Sequence, residues 1–189
     1  MKVKYSDLKN KRVFISGGGS GIGATIVEHF CEQKSEVYFI DIDIRSSNKL
    51  IKNIKKKGFK IPKFIECNIL DIKKLQNIIK DIISKKGAIH CLVNSAANDD
   101  RHTTEQVDEK YWENRMGINL KHYFFAAQAV VKGMKKIKSG SIVNLSSVSW
   151  MLGEGDKVVY ETAKSAVVGL TRSFAQEFGK YNIRTNSVI

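Results

Sequence analysis

Residues 16–23 read "SGGGSGIG", and five glycines in eight residues restrict the fold more than any other stretch of the chain. The run follows a β-branched, apolar segment, "RVFIS" (12–16), and opens an amphipathic one, "GATIVEHFCEQK" (23–34). Strand, tight turn and helix in immediate succession leave little choice. The glycines permit the turn, let backbone approach a ligand closely, and let the helix pack against the strand. The amide groups at the start of that helix then face outward with the positive end of the helix dipole, a natural seat for phosphate. Gly17, Gly21 and Gly23 carry the G-x-x-x-G-x-G spacing. A glycine motif alone says little, but this one has the strand before it and the helix after it.

The alternation continues along the chain. "EVYFID" (36–41), "KFIECNI" (63–69), "IHCLVNSA" (89–96) and "GSIVNLSS" (140–147) read as further strands, and "IRTNSVI" (183–189) opens a sixth. Between them, helical spacing falls on 46–58, 75–87, one long helix within 108–136, and 158–179. Nearly continuous apolar strands suit a parallel sheet covered on both faces. With one proline and no linker-like stretch, residues 1–189 form a single domain. The expected class is α/β: a doubly wound parallel sheet, the Rossmann fold.

Asp41 closes the second strand, eighteen residues past Gly23. A carboxylate there accepts hydrogen bonds from both hydroxyls of an adenosine ribose and repels a 2′-phosphate, which favours NAD over NADP. The competing role is a cap for the turn "DIDIRSS", and Arg45 is the nearest cation.

Composition excludes several classes. No apolar run reaches the roughly 18 residues of a membrane span. The start "MKVKYSDLKNKR" lacks the apolar centre of a secretory signal, so a cytoplasmic location is expected. Cys31, Cys67 and Cys91 lie apart in apolar segments and read as reduced core thiols. The four histidines show no metal-ligand spacing, and no metal is expected. The formal charge of +13 comes from abundant lysine, and its dense runs, 52–60 and 133–138, carry no aromatics interleaved for base stacking. No nucleic-acid partner and no membrane partner are expected.

Seven segments of the chain occur in the order found in the short-chain dehydrogenase/reductase family, which the chain resembles along nearly its whole length. "SGGGSGIG" is similar to T-G-x-x-x-G-x-G, "CNILD" to the D-V-x-D segment, and "LVNSAA" to N-N-A-G. "INLKHYFFAAQAV", "SIVNLSS", "YETAK" for Y-x-x-x-K, and "IRTNSV" follow. Six of that family's seven strands are accounted for.

The resemblance implies an NAD(P)-dependent oxidoreductase with Tyr160 as general acid/base, Lys164 beside it and Ser147 orienting the substrate oxygen. Asn119 would support a water linking Lys164 to solvent. A free phenol has a pKa near 10. An ammonium about 4 Å away, at an effective dielectric near 20, would lower it by about three units. Ser147 lies thirteen residues before Tyr160 and is preferred over Ser146 on that interval. By the same resemblance, Gly17, Ser20, Gly21, Ile22 and Gly23 contact the phosphate and ribose portions of NAD. Asn68 and Ile69 flank adenine, and Asn94, Ser95 and Ala96 lie under the cofactor with Tyr160 and Lys164 at its far end. Ser16 stands for the usual threonine, Asn68 for an aspartate, and "NSAA" for N-N-A-G, with Ala97 narrowing the floor.

"AANDDRH" (96–102), "MGINLKHYFFAAQAVVKGM" (116–134) and the segment from Ser147 to Lys164 resemble a narrower group, the short-chain aldose 1-dehydrogenases. That implies oxidation of a sugar at C1 to the lactone, with Asn98, Ser147, Trp150 and Tyr160 contacting it. Trp150 would offer a flat face to the ring. The polar run "NDDRH" either supplies sugar contacts or caps a helix and forms ion pairs. Met151 stands where that group is expected to carry histidine. Another alcohol or ketone as substrate is the main alternative, and a weakly active NAD-binding remnant is the other. The sequence ends at Ile189. By resemblance a Pro-Gly clamp, a substrate lid and a last strand would follow, and a homo-oligomer is expected of the full-length form. Poor activity is the expectation for the chain as it stands.

Overall fold

A computed structural model describes residues 3–189. Six parallel strands form one sheet: β1 (Arg12–Ser16), β2 (Glu36–Asp41), β3 (Lys63–Glu66), β4 (Cys91–Asn94), β5 (Gly140–Leu145) and β6 (Ile183–Val188). Their spatial order is β3-β2-β1-β4-β5-β6. The chain winds outward one way from β1 through β3, then returns to add β4 on the other side of β1. The order therefore reverses between β1 and β4, where Ser16 lies in register with Asn94. A crevice opens at the carboxyl ends of strands at such a point, and ligands of doubly wound sheets bind there.

Both faces of the sheet are buried, which explains the unbroken apolar strands. Val13, Ile15, Val37 and Phe39 point to one face, under α1 (Gly21–Glu32) and α2 (Ile44–Lys56), with Val27, Cys31 and Ile54. Phe14, Tyr38 and Ile40 point to the other face. There they meet Leu75 and Ile79 of α3 (Ile72–Lys86), Ala126, Val130 and Met134 of α5 (His122–Ile137), and Phe174 of α7 (Val158–Phe178). The thiols are buried or nearly so, and burial pushes Cys31 and Cys91 up to about 12. Among the described residues no cluster fits a metal ion, and no helix is long and apolar enough to cross a membrane.

Several elements are shorter than the sequence suggests. β3 ends at Glu66, β4 at Asn94 and β5 at Leu145, with one more bond to the neighbouring strand past two of these ends, from Cys67 N to Asp41 O at 3.1 Å and from Ser146 N to Val188 O at 2.8 Å. The long helix expected within 108–136 is interrupted. α4 (Glu109–Met116) runs into a π turn (Gly117–Lys121) before α5 begins at His122. A π turn inserts one extra residue per turn and is frequent at functional sites. Here it directs Asn119 inward, where the side chain is fully buried.

Candidate active site

A cavity of about 670 Å³ occupies the crevice. Gly17, Ser20, Gly21, Ile22 and Gly23 line it from the first turn, Asp41, Asn68 and Ile69 from the strand ends beyond, and Ser95, Ala96, Asn98, Tyr160 and Lys164 from the other side. The glycines are dictated by packing. Gly17 has φ +69°, and a Cβ there would come within 2.6 Å of Ala96 Cα. A Cβ on Gly23 would collide with the carbonyl oxygen of Gly17. The Ser16 hydroxyl, under this turn, accepts from the Ser95 amide at 3.2 Å and locks β1 to the end of β4. Helices α2, α3 and α4 have their first amides capped by Asp43, Asp71 and Asp108. α1 starts after Ser20 with no side-chain cap, so its amides are left for a ligand.

Asp41 performs the turn-cap role that competed with cofactor binding. Its Oδ2 accepts from Gly19 N at 2.8 Å and its Oδ1 from Asp43 N at 2.9 Å. Both bonds fix the carboxylate at the cavity wall, each oxygen keeps a lone pair, and Asp43 lines the same end. Arg45 is exposed and outside the lining. The Asn68 Oδ1 closes a turn onto Leu70 N at 3.0 Å and keeps one lone pair for a ligand. Asn94 is the one expected cofactor contact that does not line the cavity. It is fully buried below it, where its amide donates to Asn144 Oδ1 at 2.9 Å. Asn144 in turn donates to Thr171 Oγ1 at 3.0 Å, so the pair ties β4 and β5 to α7.

At the far end, Lys164 is buried with only uncharged partners. Its Nζ donates to Leu145 O at 2.7 Å and to Tyr123 Oη at 3.0 Å. Burial alone pulls its pKa down to about 8. Tyr160 lies across the ammonium, with Nζ 5.5 Å from the ring centroid. The expectation that Lys164 holds the phenol well below its usual value is not met. Burial comes first and pushes Tyr160 up, with a hydrogen bond to Ser147 acting against it. The lysine's charge is drawn toward the Leu145 carbonyl and the Tyr123 hydroxyl, and desolvation penalises the phenolate more than that charge relieves it. His122, fully buried beside Tyr123, is held neutral, its pKa lowered to about 3 mainly by burial.

The two serines have different partners. Ser146 Oγ donates to the Lys164 carbonyl at 2.7 Å and is spent on the helix. Ser147 Oγ is 2.9 Å from Ser149 Oγ and accepts from Ser149 N at 3.2 Å, which orients it toward Tyr160. Asn119 does something its sequence context does not show. Its Oδ1 accepts from Asn98 N and its Nδ2 donates to Asn98 O, both at 2.9 Å. The side chain expected to support a water at Lys164 holds the loop after β4, through one donor and one lone pair of its amide.

Trp150 is not part of the cavity lining. It lies on the short α6 (Ser149–Leu152) with its indole nitrogen buried and unpaired, and Met151 points to solvent. The "NDDRH" run is largely committed to ion pairs and caps. Asp100 pairs with Arg115 at 3.2 Å, Arg101 with Asp156, and His102 is buried. Tyr123, Asn144 and Ser149 were not singled out by sequence. Tyr123 lies four residues after Asn119, and that spacing is the only signal that could have pointed to it.

A parallel sheet with this switch point, an uncapped glycine turn, and a serine, tyrosine and buried lysine at one crevice define a nucleotide-dependent dehydrogenase. The chain belongs to the short chain dehydrogenase family, whose pattern matches residues 11–189. It is an NAD(P)-dependent oxidoreductase acting on CH–OH groups. It is 42% identical over 186 residues to D-xylose 1-dehydrogenase of Caulobacter vibrioides, covering 98% of this chain and 73% of that protein. It is 38% identical, with the same coverage, to a Rhizobium meliloti protein named "Probable galactose dehydrogenase GalD". Among solved structures, aldohexose dehydrogenase of Thermoplasma acidophilum superposes with a TM-score of 0.84 at 29% identity, over 97% of this chain and 67% of that one.

Proposed function

We propose that the protein is an NAD-linked aldose 1-dehydrogenase that oxidises the C1 hydroxyl of a sugar to the lactone. The observation that carries this reading is the continuity of one cavity from Asp41 and Asn68, past the uncapped start of α1, to Tyr160 and Lys164. The residues present suit a dinucleotide along that length. The α1 amides face the pyrophosphate position, with Gly17 and Gly23 keeping the backbone clear. The Asp41 and Asp43 carboxylates favour unphosphorylated ribose hydroxyls and disfavour a 2′-phosphate, so NAD is preferred to NADP. The bound nicotinamide supplies the hydride acceptor.

The chain's own groups manage the proton. Ser147, set by Ser149, hydrogen-bonds the substrate oxygen, and the Tyr160 oxygen takes the proton from the C1 hydroxyl as the carbonyl forms. A phenol raised by burial is a weak base at neutral pH, so oxidation speeds up as pH rises toward its ionisation. Lys164, with its own pKa near 8, holds a positive charge beside the phenol at neutral pH and gives it up at a lower pH than the phenol ionises. Asn119 fixes Asn98 at the mouth of the cavity, where a polar side chain can meet a sugar hydroxyl. The sugar reading is supported by the two relatives named for galactose and xylose.

A panel of aldoses with NAD, and separately with NADP, tests the proposal by the absorbance of the reduced cofactor. NAD reduction with at least one pentose or hexose is expected. Reduction only with non-sugar alcohols, or only with NADP, would reject it.

A further inference from the structure

α7 carries both Tyr160 and Lys164, and its first turn lacks a cap from its own sequence. The residue at the cap position is Lys157, whose ammonium pairs with Glu154 at 2.6 Å and cannot accept a hydrogen bond. The first bond inside the helix runs from Glu161 N to Lys157 O, so the amides of Val158, Val159 and Tyr160 precede it. In α2, α3 and α4 an aspartate fills this role locally. In α7 the acceptor comes from 57 residues upstream: His102 Nε2 accepts from Val159 N at 3.3 Å.

That bond fixes the imidazole's state. Because Val159 N–H donates, Nε2 carries the lone pair and the ring proton sits on Nδ1. Nδ1 lies 3.0 Å from Asp100 O and 2.9 Å from Tyr111 Oη. The Tyr111 hydroxyl can then donate to Asp100 Oδ2 at 3.3 Å. His102 is 6% exposed, with its ring edge-on to Tyr111. The backbone reinforces the contact, since His102 N donates to Asp156 O at 2.8 Å and Arg101 holds the Asp156 carboxylate. The other end of the strap, Asn98, is gripped by Asn119 of the π turn.

We propose that His102 is a positioning residue for Tyr160, serving as the helix cap of α7 and setting the orientation of the turn that presents the phenol. The positioning role rests on the reading of Tyr160 as the acid/base, whereas the cap itself does not. The strap 98–102 thus works chiefly as a latch on the reacting helix, with Asn98 the part that reaches the cavity.

The test compares the wild-type chain with His102→Phe and His102→Gln. Phenylalanine keeps the ring and loses the acceptor, whereas the glutamine oxygen reaches close to the Nε2 position. Amide exchange at Val159, followed by NMR, should accelerate about tenfold or more in His102→Phe and return to within about threefold of wild type in His102→Gln. The wild-type ¹⁵N spectrum should show His102 protonated at Nδ1 and bare at Nε2. With NAD and a turned-over aldose, His102→Phe should lower kcat about tenfold while the Kd for NAD stays within about twofold, and His102→Gln should recover most of the rate. Unchanged Val159 protection in His102→Phe, or a glutamine variant as impaired as the phenylalanine one, would overturn the proposal. If no aldose is oxidised by any form, the functional reading fails, and the exchange and ¹⁵N results still decide whether His102 caps α7.

Discussion

The two ends of the crevice are built by different means. Between β1 and β2 the wall is mostly backbone: the glycine turn, the uncapped start of α1, and Asp41 bonded to Gly19 N and Asp43 N. Between β5 and α7 the wall is held in place by side chains that meet from distant parts of the chain. Lys164 reaches Tyr123 and the Leu145 carbonyl, Asn94 reaches Asn144, and His102 reaches Val159. A backbone wall can be specified within eight residues. A side-chain wall needs the whole fold before any of its hydrogen bonds exists. At the first end the backbone is damaged mainly by sterics and only the Asp41 carboxylate offers a charge to tune, whereas the second end depends on side-chain hydrogen bonds and charge throughout.

The largest effect expected from this difference is at Gly23. Gly23→Ala drives a Cβ into the Gly17 carbonyl in a turn with no slack, at about 3 kcal/mol or a Tm fall of about 10 °C, and NAD binding should be lost. A variant with wild-type Tm and affinity would show that the turn is not rigid.

Lys164→Met should act in the opposite sense on stability. Folding brings this amine from its ordinary value of 10.5 to about 8, so the unfolded chain holds more protons between those values. The buried charge is a full cost below pH 8, and the cost fades as pH rises to 10.5. Methionine should therefore stabilise the chain by at most about 3 kcal/mol at pH 7, with the advantage gone near pH 10.5, while turnover is lost. Tyr123 Oη still donates to Leu145 O at 3.0 Å, so no carbonyl is orphaned. Chemical denaturation of both forms at pH 7 and above pH 10 measures the difference.

At the backbone end, Asp41→Asn keeps an acceptor for Gly19 N and removes the charge. NADP should gain on NAD by about tenfold in kcat/KM. An unchanged ratio would mean that Asp41 serves the turn alone. The smallest effect belongs to Arg101→Ala. Its ion pair with Asp156 is largely exposed, so the loss should be under about 0.5 kcal/mol, a Tm change of about 2 °C or less.

How much the sequence discloses follows the same division. The sheet, the glycine turn and the Tyr160–Lys164 spacing are local patterns, and the structure places all of them as read. The strand ends were overrun, because apolar residues continue past the point where the backbone leaves the ladder. The π turn at 117–121 was invisible, since an inserted residue barely disturbs helical spacing. The charge balance at Tyr160 was misjudged because spacing gives proximity but not burial, and burial dominates there. Trp150 suggested a stacking face, and it lies on α6 outside the lining of the cavity. His102 looked like one polar residue in a loop, because its partner, Val159 N, is a backbone amide that no sequence pattern marks.

The central claim is that Tyr160, held by the side-chain end, moves the proton while the backbone end binds the nucleotide. The Tyr160→Phe variant separates the two. With an aldose and NAD, its kcat should fall by about 10²- to 10⁴-fold, with the Kd for NAD within about twofold of wild type. A variant that keeps wild-type turnover would contradict the account.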